Sequence, residues 1–213
     1  YWLLCGSIGR ATDAIGLLRS RGVPVVRLAI HAHNQVSQHI VARFGFRRLA
    51  TWTSLECKIP ATAQGPQAPA ETLSLRDTER SWHLLRASPV YRAAAGLWAT
   101  GWAWQSLTRA KFEASIRQGH VTGIRCQDGQ WAALAISSIH RSDEGLHVAY
   151  VDGTGSALPV LAHSLVQRAI EIQAGSVVAM MPPVPEILNG FRQAGLSWPI
   201  EEYSFYVYDL RLQ

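Results

Sequence analysis

The sequence is poor in lysine, cysteine and long apolar runs, and each shortage argues against a class of protein. Only Lys58 and Lys111 among the 20 basic residues are lysines, and no basic run occurs, so we expect no nucleic-acid binding. The cysteines, Cys5, Cys57 and Cys126, are widely spaced without a CxxC motif, which favours a reducing cytoplasm over disulfides or a metal site. No apolar run approaches the ~20 residues of a membrane-spanning helix, so we expect no membrane insertion.

The sequence also opens on Tyr1 and not on an initiator methionine. We therefore expect that it begins inside a longer protein. No signal peptide is expected, because Tyr1-Trp2-Leu3-Leu4 has no basic region and is too short for the apolar region of one. What it contains is a globular composition, with 48% apolar and 16% charged residues over 213 positions. That length accommodates one large domain or two small ones. The net charge of +5 suits a small anionic ligand.

A stretch rich in proline, alanine and glutamine, PATAQGPQAPA at 60–70, predicts a linker between segments 1–59 and 71–213. In the first segment, apolar periodicity predicts the order turn, helix, strand, helix, strand. In the second segment it predicts β-α-α-β-β-β-α-β-α-β, opening with a strand over Thr72 to Arg76. The last four elements of both segments share one order. We therefore interpret the chain as one and a half copies of a single domain, the first represented by its C-terminal half.

A glycine-containing turn, CGSIGR at 5–10, precedes the first predicted helix. Backbone N–H groups at the start of a helix have no intrahelical partner and carry partial positive charge. Gly6 and Gly9 allow close approach of a ligand to the backbone, and Arg10 adds one positive charge. The turn therefore predicts a site for a phosphate-rich ligand.

These elements, with their residues, resemble the GNAT superfamily, whose members transfer an acyl group from acetyl-CoA to an amine. The family's cofactor pattern, [Q/R]-x-x-G-x-[G/A], falls on residues 4–9, where Gly9 matches while Leu4 and Ser7 depart from it. A second signature consists of an Asn, a small residue three positions later and a Gly-Phe pair. It is matched by Asn34, Ser37, Gly45 and Phe46. The resemblance implies an α/β (α+β) fold with a mixed, mostly antiparallel sheet flanked by helices.

The resemblance also implies the ligands and their site. Acetyl-CoA is the expected co-substrate and an amine the acceptor, with the pyrophosphate on the turn and Asn34 facing the pantetheine arm. The implied cofactor-binding residues of the turn are Gly6, Ser7, Ile8, Gly9 and Arg10. Many members use a tyrosine seven residues after the asparagine to protonate the departing thiolate. Here that residue is Val41, so the usual general acid is missing.

His31 and His33 flank the end of the predicted buried strand, just before Asn34. Because residues two apart on a strand face the same side, both rings are expected on one face. A neutral imidazole there is a candidate base for the acceptor amine. The alternative is a pair of surface histidines. No third ligand lies nearby in the sequence to complete a metal site.

The second segment resembles a complete but degenerate copy. Its equivalent turn contains Gly153 and Gly155, but Asp152 adds a negative charge where phosphates would bind. Trp98, Trp102 and Trp104 predict either an acceptor pocket or packing in the core or between copies. The expected function is N-acetyl transfer from acetyl-CoA to an amine of a small molecule or peptide. The alternative is a non-catalytic scaffold or dimerisation module that binds CoA weakly or not at all, and a homodimer is compatible with both.

Overall fold

The computed structural model describes residues 8–59, 70–101, 103–140, 145–193 and 204–212. Most of the predicted linker, residues 60–69, lies outside these ranges. The helices are α1 (Ile8–Ser20), α2 (Gln35–Arg43), α3 (Thr78–Ala87), α4 (Pro89–Ala93), α5 (Arg109–Arg117), α6 (Ala157–Glu171) and α7 (Pro185–Gln193). The strands are β1 (Val25–His31), β2 (Arg47–Lys58), β3 (Glu71–Thr72), β4 (Leu97–Thr100), β5 (Ala103–Ser106), β6 (Val121–Arg125), β7 (Trp131–His140), β8 (Gly145–Gly153), β9 (Ser176–Met181) and β10 (Ser204–Arg211).

Eight strands form one sheet in the order β1-β10-β2-β9-β8-β7-β6-β3, and β4 and β5 form a separate hairpin. Within the sheet, β8 and β9 are parallel, and the other pairs are antiparallel. The predicted mixed, mostly antiparallel sheet flanked by helices is therefore confirmed. No helix in the described ranges is both long enough and apolar enough to cross a membrane.

The order helix, strand, helix, strand occurs twice. We call α1–β2 (Ile8–Lys58) the first unit and α6–β10 (Ala157–Arg211) the second unit. The last strand of each unit pairs with the first strand of the other unit, so β10 lies beside β1 and β2 lies beside β9. The two last strands also pair with each other. The two segments therefore share one continuous sheet, with an approximate two-fold relation between the units.

The helices of the two units pack to different depths. Among residues 11–20 of α1, Ala11, Ala14, Ile15 and Leu18 are the least exposed, which confirms the face predicted by their spacing. Ile15 joins a small apolar cluster with β1, β2 and β10. By contrast, α6 packs on the sheet within the largest core cluster. There α6 also meets α7 so closely that a Cβ on Gly190 would lie 2.5 Å from the Leu158 Cβ.

The hairpin β4–β5 connects the two segments. Trp104 is buried and packs edge-on against Trp52 of β2, with 6.3 Å between ring centroids. Both tryptophans belong to an apolar cluster that also includes Met180 and Val207. Trp98 is half-buried against the main core. For Trp98 and Trp104 the structure therefore shows core packing, while Trp102 lies outside the described residues.

The predicted strand over Thr72 to Arg76 is wrong beyond Thr72. Residues Leu75–Asp77 form a short 3-10 helix instead. The backbone N–H and the hydroxyl of Ser74 donate hydrogen bonds of 3.0 and 2.8 Å to the Asp77 carboxylate. Such local side-chain bonds offer the backbone an alternative to a strand ladder, and here they end the strand.

Candidate functional site

The parallel strands β8 and β9 part in the middle of the sheet. Their register runs from Gly145 beside Ser176 to Val148 beside Ala179 and then stops, although β8 continues to Gly153. At the same level Ala149 has no register partner on β7, because Ile136 pairs with Tyr150 and Ser137 with Val148. The extra residue is a β-bulge, which bends a strand and increases its local twist. A notch therefore opens between two parallel strands at the bulge.

A glycine turn and a helix N-terminus lie at the mouth of this notch. Gly153 is required because a Cβ there would lie 2.5 Å from the Ala133 Cβ. Gly155 has a φ of 48°, a conformation that side chains disfavour. Residues 154–156 are exposed, and the N-cap residue Ser156 makes no side-chain capping bond to α6. The Ala157 N–H donates to the Thr154 carbonyl at 3.2 Å and Pro159 has no N–H, so few backbone donors at the start of α6 remain for a ligand.

The carboxylate of Asp152 points into the protein and not into this turn. Its side chain is 3% exposed and accepts hydrogen bonds of 2.8 Å from the Tyr150 hydroxyl and from the Gly153 N–H. Burial raises the pKa of this carboxyl group above its ordinary value, and hydrogen bonds from the Ser88 and Tyr150 hydroxyls and the backbone N–H counteract part of the rise. The negative charge that the sequence places at the turn is thus turned toward the interior.

The equivalent corner of the first unit is formed by α1 and β1. Ile8, Gly9 and Arg10 form the first turn of α1, where N–H groups lack intrahelical partners. The predicted cofactor-binding residues Gly6 and Ser7 lie outside the described residues. Among the described residues β1 pairs with β10 alone, so it is an edge strand of the sheet. The described part of this corner therefore consists of the first turn of α1 and the strand β1.

Asn34 begins α2 as its N-cap, and its Oδ1 accepts a hydrogen bond of 3.0 Å from the Ser37 N–H. The side-chain amide of Gln38 donates to the Ala32 carbonyl at 2.8 Å and fixes the turn between β1 and α2. The predicted signature therefore has a local structural role, since it caps the second helix of the unit. The Asn34 Nδ2 group makes no hydrogen bond with a described residue and is left for another partner.

The structure brings the two predicted base candidates together. His31 is the last residue of β1, and His33 lies in the following turn, with 5.3 Å between the ring centroids. His31 is half-buried and lies edge-on to Phe205 of β10 at 5.5 Å, whereas His33 is exposed. Among the described residues no group of three or more His, Cys, Asp or Glu side chains could hold a metal ion.

Val41 occupies the position of the usual tyrosine acid, and its environment is apolar. Its side chain packs against the small cluster of Ile15, Ile30, Phe46 and Tyr208. An aliphatic residue there contributes to holding α2 on the sheet and donates no proton. If catalysis occurs at this corner, the leaving thiolate needs another proton source.

Comparisons with solved structures agree with this geometry, while no family model and no curated protein matches the sequence. A GCN5-related N-acetyltransferase from Sphaerobacter thermophilus superposes with a TM-score of 0.60 and 11% identity, over 97% of this chain and 69% of that chain. A conserved Staphylococcus epidermidis protein of unknown function gives 0.60 and 7%, over 96% and 81%. An acetyltransferase of the GNAT family from Colwellia psychrerythraea gives 0.51 and 10%, over 98% and 75%. The chain has the GNAT fold.

The turn before α6, which the sequence analysis identified as the equivalent turn of the second segment, also fits the GNAT cofactor pattern. Asp152-Gly153-Thr154-Gly155-Ser156-Ala157 fits the spacing of the GNAT cofactor pattern, with Gly155 and Ala157 at its two small positions. Asp152 stands where glutamine or arginine is usual. The signal was present in the sequence, but the position of the acidic side chain could not be known before its burial was seen.

Proposed function

We propose that this protein is an N-acetyltransferase that moves an acetyl group from acetyl-CoA to an amine. The observation that supports the proposal is the corner where parallel strands part beside the N-terminus of a helix. It is described at β8, β9 and α6, and from the two-fold relation between the units we infer a counterpart at α1 and β1. We further propose that residues 1–59 are the C-terminal half of a GNAT-like domain and residues 71–213 a second, degenerate copy, joined by the linker at 60–70.

Charge favours the first corner as the acetyl-CoA site. Residues 1–59 contain eight basic and two acidic residues, a net charge of +6, whereas residues 71–213 contain 12 and 13, a net charge of −1. A pyrophosphate bound at the start of α1 is favoured by the helix dipole and by the field of this segment. The turn before α6 instead carries the acidic residue Asp152, whose carboxylate accepts hydrogen bonds from the Tyr150 hydroxyl and the Gly153 N–H.

In this proposal the N–H groups of Gly6 to Arg10 bind the pyrophosphate, and the Arg10 side chain adds one charge. The Nδ2 group of Asn34, which its capping role leaves unused, faces the pantetheine arm. Acetyl-CoA is a co-substrate and supplies the thioester. Acetyl-CoA fits this corner because the first turn of α1 offers backbone N–H donors and the segment has a net positive charge.

The chemistry is a direct displacement. The acceptor nitrogen forms a bond to the acetyl carbonyl carbon while the bond from that carbon to the CoA sulfur breaks. The base that takes the proton of the amine is His31 at the end of β1, His33 in the following turn, or a water molecule beside them. The thiolate of CoA is protonated by solvent, because Val41 has no proton to give.

The second candidate is a non-catalytic scaffold, and the apolar packing of Val41 favours it. A domain that has lost its acid, and whose second copy holds an acidic residue at the cofactor turn, can retain the fold while losing turnover. This alternative predicts weak or no CoA binding. The shared sheet then serves to hold the two segments together or to pair two chains.

A pair of matched substitutions tests the proposal. Ser7→Asp and Ser156→Asp each place one negative charge at the start of α1 or α6, where the helix dipole tolerates it and folding is preserved. In the full-length protein we expect Ser7→Asp to weaken acetyl-CoA binding at least about ten-fold, because the new carboxylate repels the pyrophosphate. Ser156→Asp should leave the affinity unchanged. Isothermal titration measures both.

Turnover separates the two candidates. Release of free CoA thiol across a panel of amines should depend on His31 or His33, and His31→Ala with His33→Ala should lower the rate by about 100-fold if one of them is the base. Binding without thiol release for every amine favours the scaffold. Absence of acetyl-CoA binding to the unaltered protein contradicts the transferase proposal altogether.

A further inference from the structure

One carboxylate on an inner strand of the sheet has no partner among the described residues. Asp209 on β10 is only 9% exposed, yet its side chain makes no hydrogen bond or ion pair with any residue that the structure describes. Asp152, the other strongly buried acid, has its hydrogen bonds satisfied. Asp209 therefore keeps a capacity to accept hydrogen bonds that no described residue uses.

Arginines flank Asp209 on both sides of the ladder. Its register partners are Arg27 on β1 and Arg47 on β2, and residues directly opposite on antiparallel strands share a face. Arg211 lies two residues further along β10 and so faces the same side. This face of the sheet is the one covered by the Trp104 hairpin, because Val207 packs in that cluster. We call these four side chains the Asp209 cluster.

The arginines of the Asp209 cluster make no hydrogen bond or ion pair with its carboxylate. Arg27 turns toward the hairpin, where its Nη2 donates to the Ser106 hydroxyl at 3.3 Å. Its Nε is buried and has no hydrogen-bond partner. Arg47 and Arg211 are exposed and make no ion pair or hydrogen bond with a described residue. The cluster thus contains three guanidinium groups and one carboxylate on one face of the sheet, with a net charge of +2. Its arginines retain N–H donors that no described residue uses.

We propose that the Asp209 cluster binds an acidic α-amino acid such as L-glutamate. The ammonium group pairs with Asp209, and the two carboxylates pair with Arg27, Arg47 and Arg211. A simple amine is repelled by three arginines, and a simple dicarboxylate leaves Asp209 unpaired beside more negative charge. A molecule with one positive and two negative groups complements both signs. Arginine is suited to it because the guanidinium binds carboxylates with two parallel hydrogen bonds.

The Asp209 cluster is distinct from the corner proposed for acetyl transfer. Arg27 precedes His31 by four residues on β1, which separates their Cα atoms by about 13 Å at ~3.3 Å per residue. The proposed binding therefore needs no acetyl-CoA and can be measured in its absence. Its failure leaves the transferase proposal standing, and failure of the transferase proposal leaves this one standing.

Titration of the full-length protein with L-glutamate, without acetyl-CoA, tests the inference. We expect binding at millimolar concentration or tighter, with at least ten-fold weaker binding of N-acetyl-L-glutamate and of glutarate, neither of which carries an ammonium group. In Asp209→Asn this order should reverse, because glutarate no longer meets a buried carboxylate. Glutamate that does not bind, or that binds no better than glutarate, overturns the proposal.

Two neighbouring arginines supply a matched control. Arg47 faces Asp209, whereas Arg48 lies on the opposite face, with its guanidinium carbon 3.4 Å from the Tyr206 ring centroid. Arg47→Gln should weaken glutamate binding at least five-fold, and Arg48→Gln should leave it unchanged. Equal effects of the two substitutions would mean that general positive charge, and not this cluster, attracts the ligand.

Stability distinguishes a ligand site from a structural ion pair. Asp152→Ala leaves the Tyr150 hydroxyl and the Gly153 N–H without an acceptor and should lower the melting temperature clearly. Asp209→Ala removes no described bond, so the melting temperature should stay within about 1 °C or rise. A fall as large as that of Asp152→Ala would show that the arginines hold Asp209 for stability, and would overturn the proposal.

Discussion

The first and second units have the same element order but differ in how deeply they are buried. The helix α6 places six residues in the core, and α7 places three. In the first unit α2 buries none, and from Ala11 onward α1 buries Ile15 alone. The second unit lies against the middle of the sheet, whereas the first lies at its β1 edge. One occurrence of the repeated element order thus supplies most of the described packing, and the other contributes little of it.

The largest difference in stability between the two units is expected from one buried side chain in the first helix of each unit. Leu161→Ala in α6 should cost about 3 to 4 kcal/mol of unfolding free energy, since Leu161 is fully buried in the main core. Ile15→Ala in α1 should cost about 2 kcal/mol, since its cluster is small and lies near the edge. Urea unfolding followed by circular dichroism measures both. Equal losses would contradict the difference in depth.

The helical glycines provide a contrast of opposite sign. Gly190→Ala in α7 should destabilise the protein by about 1 to 3 kcal/mol, because its Cβ would lie 2.5 Å from the Leu158 Cβ and force α6 and α7 apart. Gly16→Ala in α1 meets no atom within 4 Å and should stabilise it by about 0.5 to 1 kcal/mol. Thermal unfolding of the two variants gives both signs. Stabilisation by Gly190→Ala would show that the two helices can separate without cost.

The smallest effect concerns the buried acid of the second corner and pH. The pKa of Asp152 is raised in the folded protein from an ordinary value of 3.8, so the native state binds this proton more tightly than the unfolded chain does. The stability contributed by this group is therefore present at low pH and falls as pH rises from about 3.8 through the folded pKa. Asp152→Asn does not titrate and should lack this fall.

Denaturant unfolding at a series of pH values measures the difference between the unaltered protein and Asp152→Asn. Asp13→Asn, which removes an exposed charge from α1, controls for the change in net charge. If the unaltered protein became more stable relative to Asp152→Asn as the pH rises, the direction of the Asp152 pKa shift would be contradicted.

Local patterns predicted much of the fold. The spacing of Ala11, Ala14, Ile15 and Leu18 indicated the buried face of α1, and the β-branched run before His31 indicated a strand. Both depend on neighbours within a few residues, which the sequence displays directly. That strand was expected to be buried, but β1 lies at the sheet edge and buries only Ile30. The strand over Thr72 to Arg76 was mispredicted because two hydrogen bonds from Ser74 to Asp77 outweighed its β propensity.

Local patterns in the sequence determined the order of the elements and the positions of the glycine turns and of the His-Asn run. Only the tertiary structure decided that the units exchange their last strands, that Asp152 faces inward, and that Asp209 lies opposite Arg27 and Arg47. The physical reason is distance along the chain. The pairing of β1 with β10 and of β2 with β9 joins residues more than a hundred positions apart, and no local pattern reports which of them will be neighbours.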